Sequence, residues 1–259
     1  MNSDRNFDDL VERFERNVYG GRKGAVRLAV LNRDIQLAID AFCEQTGRTC
    51  LKVLDVGAGL AQIAIGLALK GHQVTINDLS QKMVAQAKSA AEMQGVIDAI
   101  RWIEGPYQSL PDLLEDKYDL LICHALIEWL AEPGQLIARL TTLVRPGGML
   151  SITCYNRDAL VFRNLLKGNF NFVTRGEFKG DTGSLTPLHP QHPGQVQRLL
   201  AENGWQIERI SGIRVFNDYA QPRGGNLDTD SVLEQELLFS DQEPFKWLGR
   251  YVHFLCRLS

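Results

Sequence analysis

A chain of 259 residues with 44% hydrophobic side chains can bury a sizeable core, and a single domain spanning 1–259 is expected. A formal net charge of −3 and an isoelectric point near 6.0 exclude a protein coated in positive charge for unselective nucleic-acid binding. The opening run MNSDRNFDDLVERFERN lacks the apolar stretch of a signal peptide or membrane anchor, and the five scattered cysteines show neither a CxxC pair nor a Cys/His cluster, so a cytoplasmic protein with reduced thiols, no membrane partner and no metal site is expected.

Residues 24–47 space apolar side chains three or four apart and end on Gly47, which predicts an amphipathic helix and makes 1–48 an N-terminal helical extension. Short apolar runs at 51–56, 73–78, 100–104, 118–124 and 148–154 then alternate with helical patterns, as parallel βαβ units do. The helix SQKMVAQAKSAAEMQG opens on a capping Ser80 and closes on Gly95; AQIAIGLALKG closes on Gly71; AEPGQLIARLTTLV stops before Pro146. Residues 156–193 carry Arg157, Arg163, Lys167, Arg175 and Lys179 against Asp158, Glu177 and Asp181, and are expected to form an inserted substrate cap after the fifth strand. A helix at GQVQRLLAENGW follows. The runs WQIERISGIRVF and RYVHFLCRL are expected to finish the sheet antiparallel. The fold class is therefore α/β: a doubly wound, Rossmann-like, mostly parallel sheet of seven strands.

The chemistry concentrates after the first strand, in Val53-Leu54-Asp55-Val56-Gly57-Ala58-Gly59-Leu60-Ala61-Gln62. Glycines there let the backbone turn tightly and approach a ligand where a side chain would clash. A nicotinamide fingerprint wants a third glycine at position 62, which Gln62 fills; an acid two residues before the first glycine, with small residues alternating after it, fits a methyltransferase turn instead. Nineteen positions beyond Gly59, Asp78 closes the second strand, where an acceptor-only carboxylate can take both ribose hydroxyls; capping of the helix near Ser80 is its competing role. Tyr107 and Gln108 follow the third strand, where a nucleobase is met, and His124 ends the fourth beside the methionine arm of the cofactor.

Taken with Asn17-Val18-Tyr19-Gly20, Arg27, His124-Ala125, Glu128-Trp129, Arg214-Val215-Phe216, Asp218-Tyr219 and Leu248-Gly249-Arg250-Tyr251-Val252-His253, the chain resembles, nearly end to end, the bacterial tRNA 5-carboxymethoxyuridine methyltransferases, which have the class I methyltransferase fold. The resemblance implies S-adenosylmethionine as cofactor and tRNA, at its anticodon, as partner. It implies methyl transfer to the carboxylate of a modified wobble uridine, giving the methyl ester. It also implies cofactor contacts at Arg27, Gly57, Ala58, Asp78, Tyr107, Gln108 and His124, to which the glycine run adds Asp55 and Gly59.

A carboxylate acceptor has no proton to lose at neutral pH, so such a site needs no general base. It needs a group that holds the anion, and a guanidinium does so in fork geometry. Arg214, read as a strand-edge residue, is the leading candidate for that catalytic role, with Tyr155 and Asn156 lining the same crevice and Tyr219 stacking on the base. In the acid-free run from Tyr19 to Asn32, Arg27 is expected to meet the cofactor carboxylate, and Arg22 and Lys23 to face phosphate. Competing functions are a small-molecule carboxylate or phenol O-methyltransferase and a cofactor-binding regulatory protein without turnover. The oligomeric state is not legible.

Overall fold

The computed structural model describes residues 4, 6–8, 20–176, 178, 187–221, 225 and 227–259. Expectations for the rest of the N-terminal extension and for the middle of the cap, including Glu177, Lys179 and Asp181, lie outside the described residues.

Helix α1 (Gly21–Thr46) buries Val26, Val30, Leu31, Ile35, Ala38, Ile39 and Phe42, and stops where Gly47 adopts φ 68°. That left-handed stop suits glycine, which carries no Cβ penalty. Alternating strands and helices follow in order: β1 (Lys52–Val56), α2 (Gln62–Leu69), β2 (Gln73–Asp78), α3 (Gln81–Met93), β3 (Ile100–Glu104), α4 (Leu110–Leu113), β4 (Tyr118–His124), α5 (Leu136–Thr141) and β5 (Val144–Tyr155). Ser80 caps α3, its hydroxyl accepting from the Met83 amide at 3.1 Å. Beyond β5 come α6 (Arg157–Leu166), α7 (Phe170–Arg175), α8 (Pro193–Glu202), β6 (Trp205–Ile213), α9 (Thr229–Phe239) and β7 (Tyr251–Leu258).

The seven strands lie in the order β3-β2-β1-β4-β5-β7-β6. The central strands read as continuous apolar runs because both faces are covered: α1, α2 and α3 pack on one side, and α4, α5 and α8 on the other. Leu54, Leu120, Leu121 and Ile122 have no exposed surface, and truncating one to alanine would cost about 2–5 kcal/mol.

Two expectations need correction. β7 does pair antiparallel with both β5 and β6, but it alone is reversed, and it occupies the interior between them while β6 forms the edge. The run WQIERISGIRVF does not stay extended to Phe216. β6 ends at Ile213, and Arg214 turns out of the strand with φ 62°.

Candidate active site

The carboxyl ends of β1, β2 and β4 open onto one cavity, lined by Gly57, Ala58 and Gly59 from the β1 turn, Asp78 from β2, Tyr107 after β3, and His124 at the tip of β4. This is the crevice at a topological switch point, where the order reverses between β1 and β4. Gly57 (φ 65°) and Gly59 (φ 56°) are left-handed, and a Cβ on Gly57 would stand 3.0 Å from the Leu126 methyls. Asp78 receives the Gly59 amide on Oδ2 at 2.7 Å and the Ser80 amide on Oδ1 at 2.8 Å. It therefore ties the glycine turn to β2 while each oxygen keeps a lone pair. Since Ser80 is the helix cap, the competing role for Asp78 falls away. Burial pushes the Asp78 carboxyl upward against the pull of the Ser80 and Gly59 amides.

Asp55 and Gln108 are not among the cavity's lining residues. Asp55 is buried in β1 beneath the turn, and burial, with the Asp78 charge behind it, raises its carboxyl to about 8. A raised carboxyl binds its proton in the folded state across pH 4–8 and releases it in the unfolded chain, so this group costs stability progressively as pH rises through that window. Asp55→Asn is expected to flatten the fall in melting temperature between pH 5 and 8. Parallel melting curves for the two proteins would contradict it.

Asp4 and Phe7 also line the cavity. Gln108 donates Nε2 to Asp4 at 2.7 Å, leaving its buried Oε1 without a partner among the described residues. Asp4 also accepts from the Ala131 amide, Phe7 meets Trp129 edge to face at 4.9 Å, and Asp8 accepts from Ser80 Oγ. Asp4, Phe7, Asn77 and Met83 are site residues that the sequence analysis did not single out.

A second cluster adjoins the cavity. Arg27 lines the cavity and lies 4.2 Å over the Tyr251 ring, with the Arg214 guanidinium 6.0 Å from the same ring. Arg214 donates to Asp218 at 2.9 Å, and Arg250 gives Nε and Nη2 to the same oxygen while its Nη1 donates to the Tyr155 hydroxyl at 2.7 Å. Arg214 Nε is buried with no partner among the described residues. The Tyr219 hydroxyl donates to the Leu248 carbonyl at 2.8 Å and its ring meets Phe162. Ala61, Ala125 and Arg214 are the non-glycine residues with left-handed backbone among those described, and they flank the glycine turn, the β4 tip and this cluster. Backbone strain of this kind gathers at functional sites.

Two sequence expectations, for Arg22 and Asn156, are not met here. Arg22 reaches inward, donating to the Asn217 side chain at 2.8 Å and the Leu227 carbonyl at 2.9 Å, so it clamps the C-terminal loop instead of facing phosphate. Lys23 is exposed. Asn156 lines no crevice: fully buried, it caps α6 and donates to the Trp247 and Gly249 carbonyls.

A methyltransferase domain model matches residues 54–152. The tRNA 5-carboxymethoxyuridine methyltransferase of Escherichia coli K12 is 42% identical over 255 residues, covering 98% of this chain and 96% of that protein. The chain belongs to that family. More distantly, the ubiquinone biosynthesis O-methyltransferase of Coxiella burnetii is 28% identical, covering 62% of this chain and 66% of its own. The fold matches magnesium protoporphyrin IX methyltransferase from Synechocystis with bound S-adenosylhomocysteine, at TM-score 0.63 and 18% identity over 98% of this chain and 96% of that one. As a member of the tRNA 5-carboxymethoxyuridine methyltransferase family, the protein is an S-adenosylmethionine-dependent enzyme. The cavity fits that cofactor: Gly57 and Gly59 bring bare left-handed backbone to its wall, Asp78 retains acceptor capacity, and beside it the buried Gln108 Oε1, without a partner among the described residues, suits an exocyclic amine. Among the described residues no helix is long and apolar enough to cross a membrane, and no group of His, Cys, Asp and Glu could hold a metal ion.

Proposed function

We propose that the protein methylates the carboxylate of 5-carboxymethoxyuridine at the wobble position of tRNA, giving the methyl ester. The observation that carries this reading is the unpartnered guanidinium nitrogen of Arg214 in the cluster beside the cavity. Three guanidiniums, Arg27, Arg214 and Arg250, gather around Tyr155 and Tyr251, with Asp218 as the carboxylate bonded to two of them. An incoming carboxylate would accept from Arg214 Nε, which has no partner among the described residues.

S-adenosylmethionine supplies the methyl group on a sulfonium; the acceptor oxygen forms the new C–O bond as the C–S bond breaks and sulfur keeps the electron pair. The protein's part is alignment and exclusion of water. Asp78 holds the ribose, Tyr107 packs on the adenine and Gln108 bonds its edge, and Arg27 and His124 hold the amino-acid arm. Arg214 grips one oxygen of the acceptor so that the other faces the methyl, Tyr155 stays fixed by Arg250, and Tyr219 contributes a ring face to the base. No residue has to remove a proton, since the acceptor is already ionised. Helices α6 and α7, with Arg157, Arg163, Lys167 and Arg175, form the described part of a cap over the anticodon.

The test is incubation of the purified protein and S-adenosylmethionine with tRNA from cells lacking the gene, followed by mass analysis of the wobble nucleoside. One added methyl that mild alkali removes is expected, since an ester is alkali-labile and an ether is not. Methylation of free carboxylates or phenols, with tRNA untouched, would replace this reading.

A further inference from the structure

Behind His124 a line of hydrogen bonds runs from the cavity into the core. His124 Nε2 is 2.8 Å from Ser151 Oγ on β5, and Ser151 Oγ is 2.8 Å from His253 Nε2 on β7. His253 Nδ1 is 2.9 Å from Asp34 Oδ2 on α1, and Arg33 gives Nε and Nη2 to Asp34 Oδ1 at 2.9 and 2.7 Å. Asp34, Ser151 and His253 have no exposed surface. None of the three lines the cavity.

The ends of this line fix every proton in it. Against the upward push of burial, the His253 hydrogen bond holds Asp34 at about 2, so Asp34 is an acceptor and His253 Nδ1 carries the hydrogen. In the neutral His253 imidazole the single hydrogen lies on Nδ1, where Asp34 accepts it. His253 Nε2 is thus a lone pair, and the Ser151 hydroxyl must donate to it. Ser151 Oγ then accepts from His124 Nε2–H. His124 is neutral, since burial, with the Arg27 charge nearby, holds it well below the usual imidazole range. Its remaining nitrogen, Nδ1, is the one with a lone pair to offer.

We propose that Asp34, Ser151 and His253 are positioning residues that fix His124 as the Nε2–H tautomer, so that Nδ1 accepts a hydrogen bond from the α-ammonium of the cofactor's amino-acid arm. The opposite tautomer would present N–H to that ammonium and repel it. This inference rests on the reading of the cavity as the cofactor site.

Asp34→Asn reverses the line. Arg33 keeps the amide oxygen at the Oδ1 position, so the amide nitrogen faces His253 Nδ1 and donates to it. His253 Nε2–H then donates to Ser151, Ser151 donates to His124 Nε2, and the proton of His124 moves to Nδ1. Imidazole ¹⁵N spectra, assigned through His124→Gln, are expected to show the hydrogen on Nε2 in the wild type and on Nδ1 in Asp34→Asn. Calorimetry is expected to show S-adenosylhomocysteine binding weakened about tenfold or more. Binding of 5′-methylthioadenosine, which keeps the nucleoside and lacks the amino-acid arm, is expected to be unchanged. Ser151→Ala, which leaves Arg33, Asp34 and His253 intact, serves if Asp34→Asn fails to fold: a mixture of His124 tautomers and a smaller loss confined to S-adenosylhomocysteine are expected. A wild-type hydrogen on Nδ1, or equal losses for the two nucleosides in either variant, would overturn the proposal. A wild type that binds neither nucleoside would overturn the reading of the cavity, and this inference with it.

Discussion

Arg214→Ala should lower single-turnover methylation of tRNA bearing 5-carboxymethoxyuridine by about 100-fold, the scale seen when one donor to a reacting oxyanion is removed, while S-adenosylhomocysteine affinity stays nearly unchanged. The local geometry makes this a clean deletion. Asp218 keeps two bonds from Arg250, so removing Arg214 orphans no buried charge, and the Arg250–Tyr155 contact is untouched. Arg214→Lys should restore only part of the rate, because an ammonium cannot present two parallel donors to a carboxylate while also reaching Asp218. Arg214→Gly adds a control, since glycine adopts φ 62° without strain: it should fold at least as well as Arg214→Ala and be equally inactive. A wild-type rate in Arg214→Ala would transfer the anion-holding role to Arg27 or Tyr155.

The second large effect is expected at Asp78. Asp78→Ala removes a charged acceptor from the ribose, worth roughly 1.5–3 kcal/mol or about 10- to 150-fold in affinity. The same change frees the Gly59 and Ser80 amides, so the glycine turn loses its tie to β2 and the loss should fall at the upper end of that range. Asp78→Asn separates the two contributions: its one carbonyl oxygen can still accept from Gly59 or Ser80, but its NH₂ opposes the other amide and cannot accept from a ribose hydroxyl. Titration calorimetry with S-adenosylhomocysteine measures both variants, and unchanged affinity in Asp78→Ala would remove the ribose assignment.

What the sequence showed and what it hid divide by distance along the chain. The strands β1 to β5, the stops at Gly47, Gly71 and Gly95, the Ser80 cap and the glycine turn all depend on neighbours within a few residues, and each was legible. Tertiary pairing was not. Nothing in RYVHFLCRL says that it inserts beside β5, because its partners, Met149 to Tyr155, lie about a hundred positions away. Arg22 looked like a phosphate ligand since its partners, Asn217 and Leu227, are almost two hundred residues on. The same holds for Asp34, a buried acid on a mostly apolar helix face, whose partner His253 lies more than two hundred residues on. Arg214 was read as a strand-edge residue, but its left-handed backbone and the Asp218 carboxylate that it shares with Arg250 depend on residues brought together by the fold.

The interior position of β7 has a consequence for the order in which the protein is made. Ribosomal synthesis delivers β1 to β5 first, with the glycine turn and Asp78 complete, while β6 has no neighbour in the sheet until β7 emerges and joins it to β5. Tyr251, against which Arg27 and Arg214 pack, and His253, which links α1 to the β4 tip, arrive on that same strand. A translation product cut short before β7 would leave β6 without a partner strand and would lack both Tyr251 and His253.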